Sequence, residues 1–162
     1  MAVSKDKKKE IFADLQKIVK ENSSVVFVNF HGISMNDTTE LRKALHKEGV
    51  GYTVAKKTLT KKAFGELPIQ GAMPDLVGEL AIAYSSDLLA PAREVNTFAK
   101  KFENKISILG GVFEGKYMDK AAMVTIAQIP PLQTLRGMFV NIINSPIARF
   151  VVSLDQIAQK KV

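Results

Sequence analysis

Pro130-Pro131 divides this chain more sharply than any other feature of its sequence. Neither ring can donate a backbone hydrogen bond, and the residue before a proline is pushed out of the helical region. No regular element can run through the pair. After it the pattern is purely helical. Leu132, Leu135, Phe139, Ile142 and Ile143 recur at helical spacing, and after Asn144-Ser145-Pro146 the stripe resumes with Ile147, Phe150, Val151, Leu154 and Ile157. A helix over 132–162 spans about 45 Å at 1.5 Å per residue. Pro146 is expected to kink or split it. A shift of 11 residues maps Phe139 onto Phe150, Val140 onto Val151 and Ile143 onto Leu154, so the two halves form a weak internal repeat.

Before the break, strands and helices alternate. A helix is expected over residues 4–22, on the stripe Ile11, Phe12, Leu15, Ile18 and Val19. The short β-branched and aromatic run Val25–Phe30 reads as a strand buried on both faces. Ser34 and Asp37 have capping-box spacing, and Gly49 stops the helix they open. Strands are expected over 50–54, 80–84 and 106–109. Gly110-Gly111 should bend the chain, with Val112-Phe113 extending the pairing. A short basic helix is expected over 56–64, and Pro68, Gly71, Pro74 and Gly78 mark a loop. Ser86 or Asp87 can cap a helix with Pro91 in its first turn. Asp119 should cap another, ending near Ile129. This alternation predicts one compact α/β layer domain over 1–131 and a separable helical tail over 132–162.

Charge follows the same division. The net +7 resolves into +6 over residues 1–64, −2 over 65–131 and +3 over 132–162. The N-terminal excess, which includes Lys5 and Lys8, suits either a polyanion partner or a solvated surface. Its densest part is Lys56-Lys57-Thr58-Leu59-Thr60-Lys61-Lys62. Lys57 and Lys61 share a helix face, and Lys56, Lys57, Lys61 and Thr58 gather at a helix N-terminus, where backbone N–H groups and the dipole favour phosphate oxygens. Taken alone, the run is explained somewhat better by a solvated helix face.

Catalytic and metal chemistry is not indicated. There is no Cys, and the two histidines, His31 and His46, have no orienting partner in the sequence; His31 beside Gly32 reads as a turn. Gly110-Gly111 with Gly115 is neither a Walker loop nor a dinucleotide fingerprint. No catalytic residue, metal, cofactor or small-molecule substrate is expected. Nothing after the N-terminus resembles a signal peptide, and no run of about 20 apolar residues suggests a membrane span, so a cytoplasmic protein is expected. The apolar tail stripe can fold back on the core, lie on a membrane surface, or enter a partner's groove. The Pro-Pro break, the length and the repeat favour a partner.

These residues resemble a known family. Phe30-His31-Gly32-Ile33-Ser34 with Thr39-Glu40-Leu41-Arg42-Lys43 is similar to the aromatic-x-Gly-Leu-Thr … Leu-Arg-Lys pattern of large-subunit ribosomal protein ten. Val54-Ala55-Lys56-Lys57-Thr58-Leu59 resembles its Val-x-Lys-Asn-Thr-Leu motif, with Lys57 in place of the family's Asn. Gly110–Gly115 and the boundary Ala127-Gln128-Ile129-Pro130 also fit. The third strand departs, with Gly78-Glu79-Leu80 where Gly-Pro-Thr is common. The resemblance implies an α+β fold, in which a ferredoxin-like α/β layer domain is followed by an extended C-terminal helix. It implies a structural protein of the bacterial large subunit. Large-subunit rRNA would meet Lys5, Lys8, Gly32, Arg42, Lys43, Lys56, Lys57, Thr58, Lys61 and Lys62, beside ribosomal protein eleven. The ten apolar tail residues from Leu132 to Ile157 would hold dimers of the seven/twelve stalk protein, two dimers by the count of patches. The alternatives are a basic RNA-binding protein with a membrane-surface tail and, from another class, an enzyme.

Overall fold

A computed structural model describes residues 5–102 and 105–160, with side chains from residue 7 onward. The chain divides into two compact units, Met1–Ile129 and Pro130–Val162. The first is built on one five-stranded sheet, order β2-β3-β1-β4-β5, in which every paired neighbour is antiparallel. The strands are β1 (Ser24–Phe30), β2 (Gly51–Val54), β3 (Leu80–Ser85), β4 (Ile106–Phe113) and β5 (Lys116–Asp119); the helices before the break are α1 (Lys5–Glu21), α2 (Met35–Lys47), α3 (Lys57–Gly65), α4 (Ala90–Lys101) and α5 (Lys120–Ala127). The units β1-α2-β2 and β3-α4-β4 interleave into the ferredoxin-like order, with β5 added at one edge. The fold is α+β, as the sequence indicated.

β1 lies at the centre and explains why its sequence has no polar alternation. Val26 and Val28 enter one core, with Leu41 and Leu45 of α2, Val95 of α4 and Met123 of α5. Val25 and Phe27 enter a second core on the opposite face, with Leu15 of α1, Phe64 of α3 and Ile82. The Phe27 and Phe64 rings meet edge-on at 5.1 Å between centroids, a contact worth roughly 0.5–1.5 kcal/mol beyond burial. α2 and α4 therefore cover one face of the sheet, and α1 and α3 the other.

Several local expectations are corrected. Gly110-Gly111 does not end a strand, because β4 runs through both glycines to Phe113. A bulge at Leu109 absorbs the irregularity: Phe27 pairs with Gly110 while Val28 pairs with Ile108. Glycine is required there by crowding, since a Cβ on Gly111 would lie 2.5 Å from the Val25 carbonyl oxygen. β5 was not expected. A two-residue turn, Glu114 (φ 49°) and Gly115 (φ 74°), joins Phe113 to Lys116. Both dihedrals are those of a type I′ hairpin, reached here without the usual Asn-Gly.

Helix caps differ in detail as well. Ser34 caps α2 by accepting from the Asp37 N–H at 3.2 Å. Leu89, not Ser86 or Asp87, occupies the cap position of α4; the Asp87 carboxylate accepts from the Leu89 N–H at 3.2 Å and shapes the preceding turn. Asp119 stands at the start of α5 without a side-chain capping bond, because it is still paired in β5.

The second unit is α6 (Leu132–Lys160), 29 residues without a break. Pro146 does not split it. The missing N–H leaves the Ile142 carbonyl without its helical donor, which a helix accommodates by local bending. At about 1.5 Å per residue α6 is roughly 43 Å long. An 18-residue window of it has mean hydropathy 1.3, so by length and composition it is apolar enough to cross a membrane. That corrects the expectation from runs of residues, which the polar residues Asn141, Asn144, Ser145 and Arg149 interrupt.

Candidate nucleic-acid interface and partner helix

α3 is oriented by what it buries. Thr60, Ala63 and Phe64 face the core, which turns Lys57, Thr58, Lys61 and Lys62 to solvent. Lys56 holds the cap position without a side-chain capping bond. Its carbonyl instead accepts from the Leu59 N–H (3.0 Å), the Thr60 N–H (3.0 Å) and the Thr60 hydroxyl (3.2 Å). The first-turn amides of Lys57 and Thr58 have no acceptor within the helix and point out of its N-terminus. Positive charge and outward N–H groups coincide at one end of one element.

α1 packs beside α3 and adds to it. Lys8, Lys56, Thr58, Leu59 and Lys62 line a hollow of about 290 Å³. Lys56 and Thr58 also line a larger cleft of about 580 Å³ where β1 and β2 end and β3 begins. Its other walls are Phe30, Val54, Ala55, Lys57, Gly78, Glu79 and Leu80. Hydrogen bonds from the Phe30 N–H to the Glu79 carbonyl and from the Ala55 N–H to the Leu80 carbonyl tie these walls together.

Ion pairing separates these lysines from Arg93 and Lys101. Arg93 is paired with Glu48 and Glu94, and Lys101 with Glu40. Among the described residues, Lys8, Lys56, Lys57, Lys61 and Lys62 have no carboxylate partner. Their charge is not spent internally.

Other expected residues stand elsewhere. Arg42 and Lys43 are on α2, across the sheet from α3, so the structure does not bring them to the α3 lysines. The Arg42 guanidinium lies 5.9 Å from the centre of the Tyr52 ring. Burial raises the Tyr52 pKa above its usual value, and Arg42 opposes this in part. Gly32, at φ 61°, makes the turn between β1 and α2. Lys5 begins α1, but its side chain lies outside the described residues. The sequence reading missed the apolar walls of the cleft: Val54 read as an ordinary strand end, yet it is half exposed beside Lys56.

α6 has no buried residue. All ten stripe residues are exposed, Phe139 at 66% and Phe150 at 65%. Met138, Val140 and Val152 are also exposed, so apolar surface extends past the ten. A large aromatic thus stands in water on each half of the helix.

Comparison with known proteins agrees across the whole length. The family model described as Ribosomal protein L10 matches residues 3–100. The Large ribosomal subunit protein uL10 of Shouchella clausii is 32% identical over 157 residues, covering 96% of this chain and 94% of that protein. The protein of the same name from Rhodospirillum rubrum is 33% identical over 147 residues, covering 91% and 85%. That from Ralstonia nicotianae is 31% identical over 161 residues, covering 99% and 95%.

Proposed function

The chain belongs to the ribosomal protein L10 family, and from that premise we propose that it joins RNA to protein within the large ribosomal subunit. As a family member it is a structural protein of the cytoplasmic large subunit. The N-terminal unit binds large-subunit rRNA, beside ribosomal protein eleven. The observation that carries this is the group of lysines on α1 and α3 without carboxylate partners, set around outward amides at the α3 N-terminus. Such donors suit phosphate oxygens and position a protein without reading sequence. Arg42, Lys43 and Gly32 belong to a separate region of contact across the sheet. Lys5 extends the α1 edge.

α6 is the partner helix. Its stripe from Leu132 to Ile157 enters grooves on dimers of the seven/twelve stalk protein, one dimer on each side of Pro146. These dimers serve the recruitment of translational GTPases. The hydropathy of α6 favours a second reading, a membrane-associated tail. Arg136 and Arg149 on the helix, and membership of a ribosomal family, weigh for the protein partner.

Co-purification of the intact chain tests both halves at once. The bound RNA and protein are identified, and the same is done for a chain ending at Pro131. Large-subunit rRNA with both, and stalk protein with the intact chain alone, is the expected result. Flotation of the intact chain with liposomes, without capture of stalk protein, would support the membrane reading instead.

A further inference from the structure

The larger cleft has a composition that phosphate binding does not require. A surface that only follows a polyanion needs cations and amides, as the 290 Å³ hollow provides. The 580 Å³ cleft beside it is lined by Phe30, Val54 and Leu80 together with Lys56, Lys57 and the exposed Glu79. Val54 is 50% exposed there. A carboxylate next to a phosphate site is unfavourable unless it faces a hydrogen-bond donor.

A nucleotide turned out of its stack has matching chemistry. Its base is flat, apolar on its faces and polar at its edge, and its phosphate is an anion at one end. We propose that the cleft takes one unstacked RNA nucleotide, with its base against Phe30 and Val54 and its phosphate on Lys56, Lys57 and the α3 N-terminus. Glu79 accepts from the exocyclic amino group of the base, so cytosine, adenine or guanine is preferred to uracil. Carboxylate acceptors read cytosine N4 in the same manner in other nucleic-acid complexes. Two features fix the walls. Gly78, at φ 77°, has no room for a Cβ, which would lie 2.6 Å from Asn29 Oδ1. The Phe30–Glu79 and Ala55–Leu80 backbone hydrogen bonds hold the opposite sides. This inference rests on the basic end of the unit being an RNA surface, and it adds a base pocket to it.

The test uses the full-length protein and two RNA octamers, oligocytidylate and oligouridylate, in filter binding across one salt series. Their bases differ at the edge, in an amino group against a carbonyl. Oligocytidylate should bind about fivefold more tightly, in keeping with one charge-assisted hydrogen bond at a partly wet rim. Glu79→Gln should bring the ratio close to one, since an amide serves both edges. Val54→Gln, on an exposed edge-strand residue, should weaken both octamers roughly threefold to fivefold by removing apolar contact, and leave the salt slope unchanged. Equal binding of the two octamers by the wild-type protein, a ratio that survives Glu79→Gln, or unweakened binding by Val54→Gln overturns the base pocket. Cytidine monophosphate binding as tightly as the octamer would overturn the assignment to RNA. Loss of salt dependence on removing the lysines concerns the phosphate surface alone, so failures of the two readings are told apart.

Discussion

Replacing Lys56, Lys57, Lys61 and Lys62 together with Gln measures how much of the RNA affinity is counterion release. All four side chains are exposed and lack carboxylate partners, so the fold should be little affected; surface changes of this kind usually stay within about 0.5 kcal/mol each. If every lysine meets a phosphate, the slope of log affinity against log salt flattens by roughly 0.7–0.9 per lysine, or about 2.8–3.6 for the set. Between 50 and 200 mM salt, a fourfold change, those contacts account for a loss of about fifty- to 150-fold that the variant should not show. Lys101→Gln is the internal control. Its ammonium is already paired with Glu40 and should contribute little to the slope. Filter binding to large-subunit rRNA across a salt series, with thermal unfolding alongside, gives both quantities. An unchanged slope in the fourfold variant, with the fold intact, would refute the assignment of α3 as a phosphate-binding face.

Three further outcomes are expected. A chain ending at Pro131 should unfold cooperatively near the midpoint of the full chain, because α6 has no buried residue; a much lower midpoint would show that the tail belongs to the core. Phe150→Asp should release one of two stalk dimers in native mass spectrometry, since a buried aromatic dominates such a contact; six copies on the intact chain, or loss of every copy in the variant, would sink the reading of two independent sites. Glu114→Asn should raise stability by about 1 kcal/mol, because asparagine tolerates the left-handed backbone that glutamate is forced into at φ 49°; a lower denaturant midpoint would contradict the turn assignment.

What could be read from the sequence depended on whether one residue's neighbours in the chain were also its neighbours in space. Val25–Phe30 announced a doubly buried strand, since Val25, Val26, Phe27 and Val28 in a row leave no solvent face, and the cores on both sides of β1 bear this out. α3 was legible for a similar reason. Its buried Thr60, Ala63 and Phe64 sit at helical spacing, and the lysines fill the remaining positions. β5 was not legible, because Glu-Gly is a poor hairpin signal and its pairing with β4 is decided by the sheet edge available to it. The strand through Gly110-Gly111 was misread as a bend. Two glycines usually loosen a chain, and here a Cβ on Gly111 would meet the Val25 carbonyl oxygen and Met123 of α5, and one on Gly110 the Met118 carbonyl oxygen and Pro74. The cleft at Glu79 could not have been found either, because its walls come from three strands far apart in sequence.

Thirteen apolar side chains of α6, from Leu132 to Ile157, are at least 39% exposed in this chain. Patches of that kind bring like molecules together when nothing else covers them. The free protein is therefore a hazard to its own solubility, and its abundance has to be matched to whatever shields the helix. Synthesis in excess of that supply should give aggregates or proteolysis of the tail before any loss of the α/β unit. The exposed stripe of α6 thus sets a limit on how much of the chain can exist uncovered.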